Sequence, residues 1–414
     1  MELVELGELC TLIEERVEPK NLTCEQVVLY SIPSWDDGFP EVVSPDEIAS
    51  SKFLVRQGDI LISRLNPSKH KTWRVSEDIE SEIVILASTE WGVVRPNQDV
   101  DVDYLHCALE SPGFIFQMNA YVTGTTGSHQ RVRMRDFCRL KIPLLSDPKS
   151  RKIGDIHRSF REHELTVSST IPLIENMAHS LFKSWFIEFN PVRTKEAGGI
   201  PYGVNEETAE LFPNSFEESK FGPIPKGWEW CELGDSISVV GGGTPSTKNP
   251  MFWDGEYNWT SPNDLSKSKS IIMLETEKTI TKEGLKKISS GLLPVNTVLM
   301  SSRAPIGYLA ITKIPVAINQ GYIAIPPKTA FSPYFMASWI KFNLPLIEGY
   351  ASGATFPEIS KKEFRKLPLL MPPPEIVREF NNRAKALYDQ VESCLRTSNS
   401  VAHLKDILTP RLVQ

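Results

Sequence analysis

Two short stretches concentrate cationic side chains. The segment 56–74 carries Arg56, Arg64, Lys69, Lys71 and Arg74 against Asp59 alone, a local charge of +4, with His70 and Trp73 interleaved. The segment 127–141 carries Arg131, Arg133, Arg135, Arg139 and Lys141 against Asp136, again +4, and opens with Ser128 and His129. Such groups neutralise phosphates, and an arginine fork matches the paired acceptors of guanine in a major groove. Side chains alternate along an extended chain, so Arg131, Arg133 and Arg135 are predicted on one face. A solvated charged edge would use the same residues, and both readings stay open at this point.

The second half offers a different mixture. Lysines stand at Lys248, Lys267, Lys269, Lys282, Lys286 and Lys287, and a later group is Lys361, Lys362, Arg365 and Lys366. Around them, Asn249, Trp253, Trp259, Asn263, Arg303, Asn319 and Gln320 supply base-edge and stacking chemistry, although tryptophans are commonly core. The cluster Ser301-Ser302-Arg303 follows a strand-like run and is the better contact candidate. In this half the candidate nucleic-acid contacts are Thr244, Ser246, Lys248, Trp259, Ser302, Arg303, Gln320, Thr355 and Lys361. In the first half they are Arg64, Lys69, Lys71, Arg74, Ser128, His129, Arg131, Arg133 and Arg135.

Several catalytic chemistries lack their residues. Gly241-Gly-Gly-Thr-Pro-Ser-Thr-Lys248 is glycine-rich, but it has no Gly-Lys-Ser/Thr close to cradle phosphates. No Asn/Asp-Pro-Pro-aromatic motif of an amino-methyltransferase is present. Glu218-Ser-Lys220 has no upstream Pro-Asp partner and reads as a solvated charge pair rather than a nuclease centre. The seven histidines and six cysteines form no metal-ligand spacing, so no metal is expected. A non-catalytic chain is the expectation.

These residues must be positioned by a chain of 414 residues with net charge -7, 41% hydrophobic and 23% charged residues. That length predicts two to four domains. The net charge argues against binding nucleic acid through overall charge, so local faces matter more. No apolar run is long enough to cross a membrane. The acidic N-terminus is unlike a signal peptide. Sparse cysteines fit a reducing, cytoplasmic setting.

Residues 1–146 read as mixed α/β. Strand-like runs are Val27–Ile32, Asp59–Ser63, Ile83–Leu86, Gly92–Val94 and Leu140–Leu145, and Tyr104–Met118 reads as a helix. Residues 147–189 change to a helical period, with Ile153, Phe160, Val167, Ile174 and Leu181 spaced by seven. Pro172 predicts a kink, or a break near Ser168–Thr170. Residues 190–227 are a Pro/Gly-rich linker in which Phe212, Phe216 and Phe221 need cover. Residues 228–372 return to mixed α/β, with strand-like Asp235–Val240, Thr297–Ser301, Gly307–Ile311 and Gly321–Ile325, and helical Phe331–Phe342. Residues 373–414 return to the seven-residue spacing, at Phe380, Leu387, Cys394, Val401 and Leu408, with Val377, Ala384, Val391, Ser398 and Lys405 between. A helix over 374–408 would be about 50 Å long.

The halves match each other. Leu6-Gly-Glu8 aligns with Leu233-Gly-Asp235, and Asp136-Phe-Cys-Arg-Leu140 with Glu363-Phe-Arg-Lys-Leu367, both at an offset of 227. Asp59–Ser63 aligns with Thr297–Ser301 at 238, and Ala178-His179 with Ala402-His403 at 224. The order is variable domain, helix, linker, variable domain, helix. Duplication predicts pseudo-twofold symmetry, with the two amphipathic helices packed antiparallel. Phe160, Ile174, Leu181, Trp185, Phe380, Leu387, Val391 and Leu408 are the candidate spacer and partner-docking residues.

The chain resembles the specificity subunit of type I restriction-modification enzymes. The resemblance is carried by Leu181-Phe-Lys-Ser-Trp-Phe-Ile-Glu-Phe-Asn-Pro-Val192, Leu211-Phe-Pro-Asn-Ser-Phe-Glu-Glu-Ser219 and Gly222-Pro-Ile-Pro-Lys-Gly-Trp228. In the second variable domain it is carried by Gly242-Gly-Thr-Pro-Ser-Thr247, Asn258-Trp-Thr-Ser-Pro-Asn-Asp-Leu265, Ser301-Ser-Arg-Ala-Pro-Ile-Gly307 and Asn319-Gln-Gly321, with Leu408-Thr-Pro-Arg-Leu412 at the end. The first variable domain departs from this pattern. It lacks the Gly-Gly-Thr-Pro entry and has Asn66-Pro67 where the second has Arg303-Ala-Pro305.

The resemblance implies an α+β chain in which two target recognition domains alternate with two long helices packed as an antiparallel, coiled-coil-like spacer. Each domain would read one half of a bipartite, asymmetric site in double-stranded DNA. The helices would set the spacing and dock modification subunits, which can share the phosphate contacts. This chain would bind no cofactor: S-adenosylmethionine, ATP and Mg would belong to the modification and restriction subunits. The alternative from another class is a non-catalytic scaffold whose two domains bind peptide or protein.

Overall fold

Strand Glu2–Glu5 pairs antiparallel with Lys141–Leu144, and strand Glu229–Glu232 pairs antiparallel with Pro368–Met371. The registers are equivalent: Glu2 lies opposite Leu144 and Glu229 opposite Met371, both shifted by 227. The next residue repeats as well. The Leu6 amide donates to the Leu140 carbonyl at 2.8 Å, and the Leu233 amide to the Leu367 carbonyl at 2.8 Å. A Cβ on Gly7 would lie 3.0 Å from Cys138 Cβ, and one on Gly234 2.8 Å from Arg365 Cβ. The segments 2–144 and 229–371 are therefore each closed at their ends by one device, and the glycine permits the close approach.

The computed structural model describes residues 2–65, 69–76, 79–80, 82–122, 131–327, 331–353 and 357–412. It divides into two compact units, Met1–Val167 with Thr397–Gln414, and Ser168–Arg396.

In the first unit a four-stranded sheet has the order Cys10–Ile13, Trp91–Pro96, Ile60–Ser63, Thr72–Arg74. A five-stranded sheet runs Arg16–Val17, Lys52–Val55, Val84–Ala87, Val27–Tyr30, Glu41–Val43. The Ile60–Ser63 strand is buried on both faces. Ile60 and Ile62 join a core with Leu105, Phe114, Phe137 and Ile153, while Leu61 joins Tyr30, Phe53, Trp91 and Val93. The helix expected over 104–118 is two, Val102–Leu109 and Pro112–Ala120. Pro112 sits at the start of the second, and the Ser111 hydroxyl caps it by accepting from the Phe114 amide.

In the second unit a four-stranded sheet has the order Ile272–Met273, Ile306–Thr312, Val298–Ser302, Tyr322–Ile325. Beside it a three-stranded sheet runs Lys278–Ile280, Trp253–Thr260, Ala317–Ile318. The strand expected over 235–240 is instead a short helix, Leu233–Ser236, followed by a single bridge from Val240 to Ala324. The 190–227 stretch is folded. It contains helices Asn190–Glu196 and Glu206–Leu211 and a strand pair. Phe212 is buried with its ring 5.1 Å from Trp185, Phe216 packs near Phe189, and Phe221 stays exposed beside Trp230.

The two long helices are Asp147–Phe186 and Pro374–Leu412. Each gives residues to both units. No break occurs at Pro172, which lies exposed inside the first helix. Val167, Ile171, Ile174 and Ala178 keep a buried stripe in phase across it. Within the second unit the helices run antiparallel. Glu175 acts on Tyr388, and the Phe182 and Phe380 rings are 5.9 Å apart. The buried stripe leaves the seven-residue spacing after Ile174, passing through Ala178, Phe182 and Trp185 rather than Leu181. An α-helix repeats every 3.6 residues, so a strict seven-residue row drifts off the buried face.

Candidate nucleic-acid interface

In the second unit five loops converge beyond the ends of the sheets. The first is the glycine run. A Cβ on Gly242 would fall 1.9 Å from the Ile318 carbonyl oxygen, so only glycine fits, and the Gly243 amide donates to that carbonyl at 2.8 Å. The chain next presents Thr244. Its hydroxyl donates to Gln320 Oε1 at 2.6 Å and accepts from Asn319 Nδ2 at 2.6 Å. Asn319 is fixed in turn by its amide, which donates to the Thr260 carbonyl, and by Oδ1, which accepts from the Gly321 amide at 2.7 Å. The Ser302 amide donates to the Gly321 carbonyl, and the Ile359 amide donates to the Ser302 carbonyl. Each link ties one loop to the next, so Thr244, Arg303, Gln320, Glu358 and Lys361 are held on one rim.

Of the residues singled out in this half, Thr244, Ser246, Lys248, Gln320 and Lys361 are exposed and Arg303 is half-exposed. Trp259 and Ser302 are corrections. Trp259 is buried, packs edge-on against Trp253, and donates from Nε1 to the Gly243 carbonyl, so it supports the glycine loop instead of stacking on a base. Ser302 is buried in its strand, and its hydroxyl points to Glu358. Thr355 lies outside the described residues.

In the first unit the equivalent edge carries Arg64 and Arg131. Arg64 donates to the carbonyls of Val132 and Thr89, each at 3.3 Å. Burial, and then the charges of Arg131 and Arg16, lower its pKa. Arg131, Arg133 and Arg135 are exposed while Val132 and Met134 are buried. The backbone is not extended throughout, because Met134–Phe137 is a helical turn entered from Arg133. The three arginines thus share exposure without sharing a strand face. Lys69 is exposed. Lys71 pairs with Asp36 at 2.6 Å and lies over the Trp35 ring at 4.6 Å. Ser128 and His129 lie outside the described residues.

Arg74 is a correction: it is 6% exposed and paired with buried Asp103. Asp103 also receives Arg158 Nε at 2.6 Å. Arg74 therefore helps fasten the domain to the first long helix. Beside it, Glu110 accepts from His157 Nε2 at 3.1 Å and pairs with Lys405 at 3.1 Å. Burial opposes the Glu110 charge, but the His157 hydrogen bond and the Lys405 ammonium outweigh it and hold the carboxyl well below its usual range. This polar clasp had no signature in spacing, since its members are scattered between Thr72 and Lys405.

The helix residues divide by burial. Ile174, Trp185, Phe380 and Val391 are buried within the second unit, where Phe182, Trp185, Phe186, Phe335 and Phe380 form one aromatic cluster. These side chains are spacer core and offer a partner no surface, a correction to their docking role. Phe160, Leu181, Leu387 and Leu408 are half-buried. Among the described residues no group of His, Cys, Asp and Glu could hold a metal, and no helix is long and apolar enough to cross a membrane.

Residues 225–392 match the family model for the type I restriction modification DNA specificity domain. Over 162 residues the chain is 35% identical to the MjaIX specificity subunit of Methanocaldococcus jannaschii, a match covering 39% of this chain and 38% of that one. It is 23% identical over 407 residues to the HindI specificity subunit of Haemophilus influenzae, covering 88% and 87% respectively. The fold is similar to the crystal structure of a type I restriction-modification system S subunit from M. genitalium, with a TM-score of 0.59 at 12% identity, covering 100% of this chain and 96% of that one. Residues 225–392 thus match the type I restriction modification DNA specificity domain, and along most of its length the chain is similar to type I restriction enzyme specificity subunits.

Proposed function

We propose that the chain is the DNA-recognition subunit of a type I restriction-modification complex, each unit reading one half of a bipartite, asymmetric site in double-stranded DNA. The observation that carries this reading is the repeated closure: Glu2–Glu5 with Lys141–Leu144, and Glu229–Glu232 with Pro368–Met371, in equivalent register. One chain thus holds two heads of common construction whose rims differ. The first rim bears Arg64, Arg131, Arg133 and Arg135, and the second bears Thr244, Arg303, Gln320 and Lys361.

The paired helices set the interval between half-sites and dock the modification subunits. Those subunits supply the S-adenosylmethionine chemistry, and restriction subunits supply ATP- and Mg-dependent translocation and cleavage. This chain contributes recognition and no bond-making group. Its net charge of -7 is compatible with DNA binding because affinity depends on local phosphate contacts, which the modification subunits share. Methylome sequencing of a host with and without the gene tests the reading. The expected result is a two-part motif with a fixed gap, present only with the gene. Identical methylomes in the presence of its modification subunit would refute it.

A further inference from the structure

Glu358 places a carboxylate among loops that, on the reading above, face DNA. The same backbone device occurs in both units. Arg131 bridges Leu65 and the Val132 amide donates to the Arg64 carbonyl at 3.0 Å; Glu358 bridges Arg303 and the Ile359 amide donates to the Ser302 carbonyl at 3.1 Å. Positions 131 and 358 are separated by 227, the offset of the closing strands. The two heads therefore carry opposite charges at one topological position. In the first, a guanidinium lies next to Arg64, whose pKa falls through burial and then through Arg131. In the second, Glu358 Oε2 accepts from Arg303 Nη1 at 3.4 Å and Oε1 accepts from the Ser302 hydroxyl at 3.3 Å.

The Glu358 side chain is 44% exposed and that of Arg303 42%. An ion pair this long and this open contributes little to folding. A carboxylate also repels phosphate, so for backbone binding it is unfavourable. An ionised carboxylate only accepts hydrogen bonds. In the major groove the donors are the amines of cytosine and adenine, and the acidic side chain matches cytosine N4, whereas adenine suits the amide of Asn or Gln. Arg303, held beside it, has the fork that matches guanine O6 and N7.

We infer that Glu358 is a specificity-determining residue of the second head, accepting a hydrogen bond from the exocyclic amine of a cytosine while Arg303 reads a guanine. This rests on the DNA-reading role proposed above. Thr244 and Gln320, already bonded to each other, form the neighbouring part of the rim.

The test is selection of duplexes from a randomised library by the chain assembled with its modification subunits, alongside Glu358→Ala and Glu358→Gln. The wild-type complex selects a two-part motif with a cytosine in one half. Glu358→Ala lowers the preference for that cytosine about tenfold and leaves the other half-site intact. Glu358→Gln moves the preference at that position toward adenine, and this shift in one base distinguishes a reading residue from one that merely supports the loop. An unchanged motif in both variants, or loss of the whole half-site in both, overturns the inference while the DNA-reading role stands. Failure of the wild-type complex to select any motif overturns both.

Discussion

Lys405 Nζ lies 3.1 Å from Glu110 Oε2, joining the far end of the chain to the helical face of the first head. Glu110 also accepts from Thr72 and His157, so one carboxylate gathers the sheet edge and both long helices within the first unit. Substituting Lys405→Met removes a counter-charge from a carboxylate that is about three-quarters buried. Breaking a fully buried pair costs about 3–5 kcal/mol, and the residual exposure here reduces that to about 2 kcal/mol. Urea unfolding of the full chain measures it. If Lys405→Met and Glu110→Gln prove strictly additive, the two residues do not act as a pair.

The same clasp gives a pH dependence. Burial is the main cause that lowers the His106 pKa well below 6.5. In the unfolded chain this imidazole takes up a proton near pH 6.5, while in the folded chain it stays neutral. The unfolded state then binds more protons, so stability falls as pH drops below about 6.5 and is insensitive to His106 above it. Glu110, whose pKa is lowered, adds a loss in the same direction once pH falls below its unfolded value. His106→Gln should flatten the slope between about pH 6.5 and 5 by up to 1.4 kcal/mol per pH unit. A variant as acid-sensitive as the parent would contradict the assignment.

Gly242→Ala places a methyl group 1.9 Å from the Ile318 carbonyl oxygen. The loop must move, and with it the Thr244–Gln320 and Thr244–Asn319 hydrogen bonds. Methylome sequencing should show the second half-site lost or degraded and the first retained. Thermal unfolding should show a loss of about 1–3 kcal/mol, the range for forcing atoms into a packed site. An intact motif would mean that this rim does not face DNA.

Changing Arg131, Arg133 and Arg135 together to alanine removes three exposed charges from the first rim. If all three meet phosphates, the slope of log affinity against log salt for the assembled complex becomes less steep by about 3. Discrimination at the first half-site falls, and the second half-site is unaffected. Titrations at several salt concentrations check the slope, and an unaltered slope would remove these residues from the interface.

The two long helices and the 227-residue repeat were legible in the sequence, because each rests on local pattern: a helical period and repeated short words. Leu6-Gly and Leu233-Gly mark equivalent closures whatever surrounds them. Side-chain roles were less legible. Arg74 and Arg133 read alike as exposed cations, yet the Asp103 carboxylate, 29 residues from Arg74 in the chain, draws Arg74 into the interior. Trp259 offered stacking chemistry, and the glycine loop bent over it supplied a carbonyl for its indole N–H instead. Glu358 gains meaning only opposite Arg303, from which it is 55 residues distant. Sequence alone thus determined that two long helices form and that the pattern occurs twice, since periodicity acts over a few residues, whereas the strand expected over 235–240 became a short helix with a single bridge. The tertiary structure alone decided which charges are buried, which pair, and which stand on a rim, since those depend on residues brought together from distant parts of the chain.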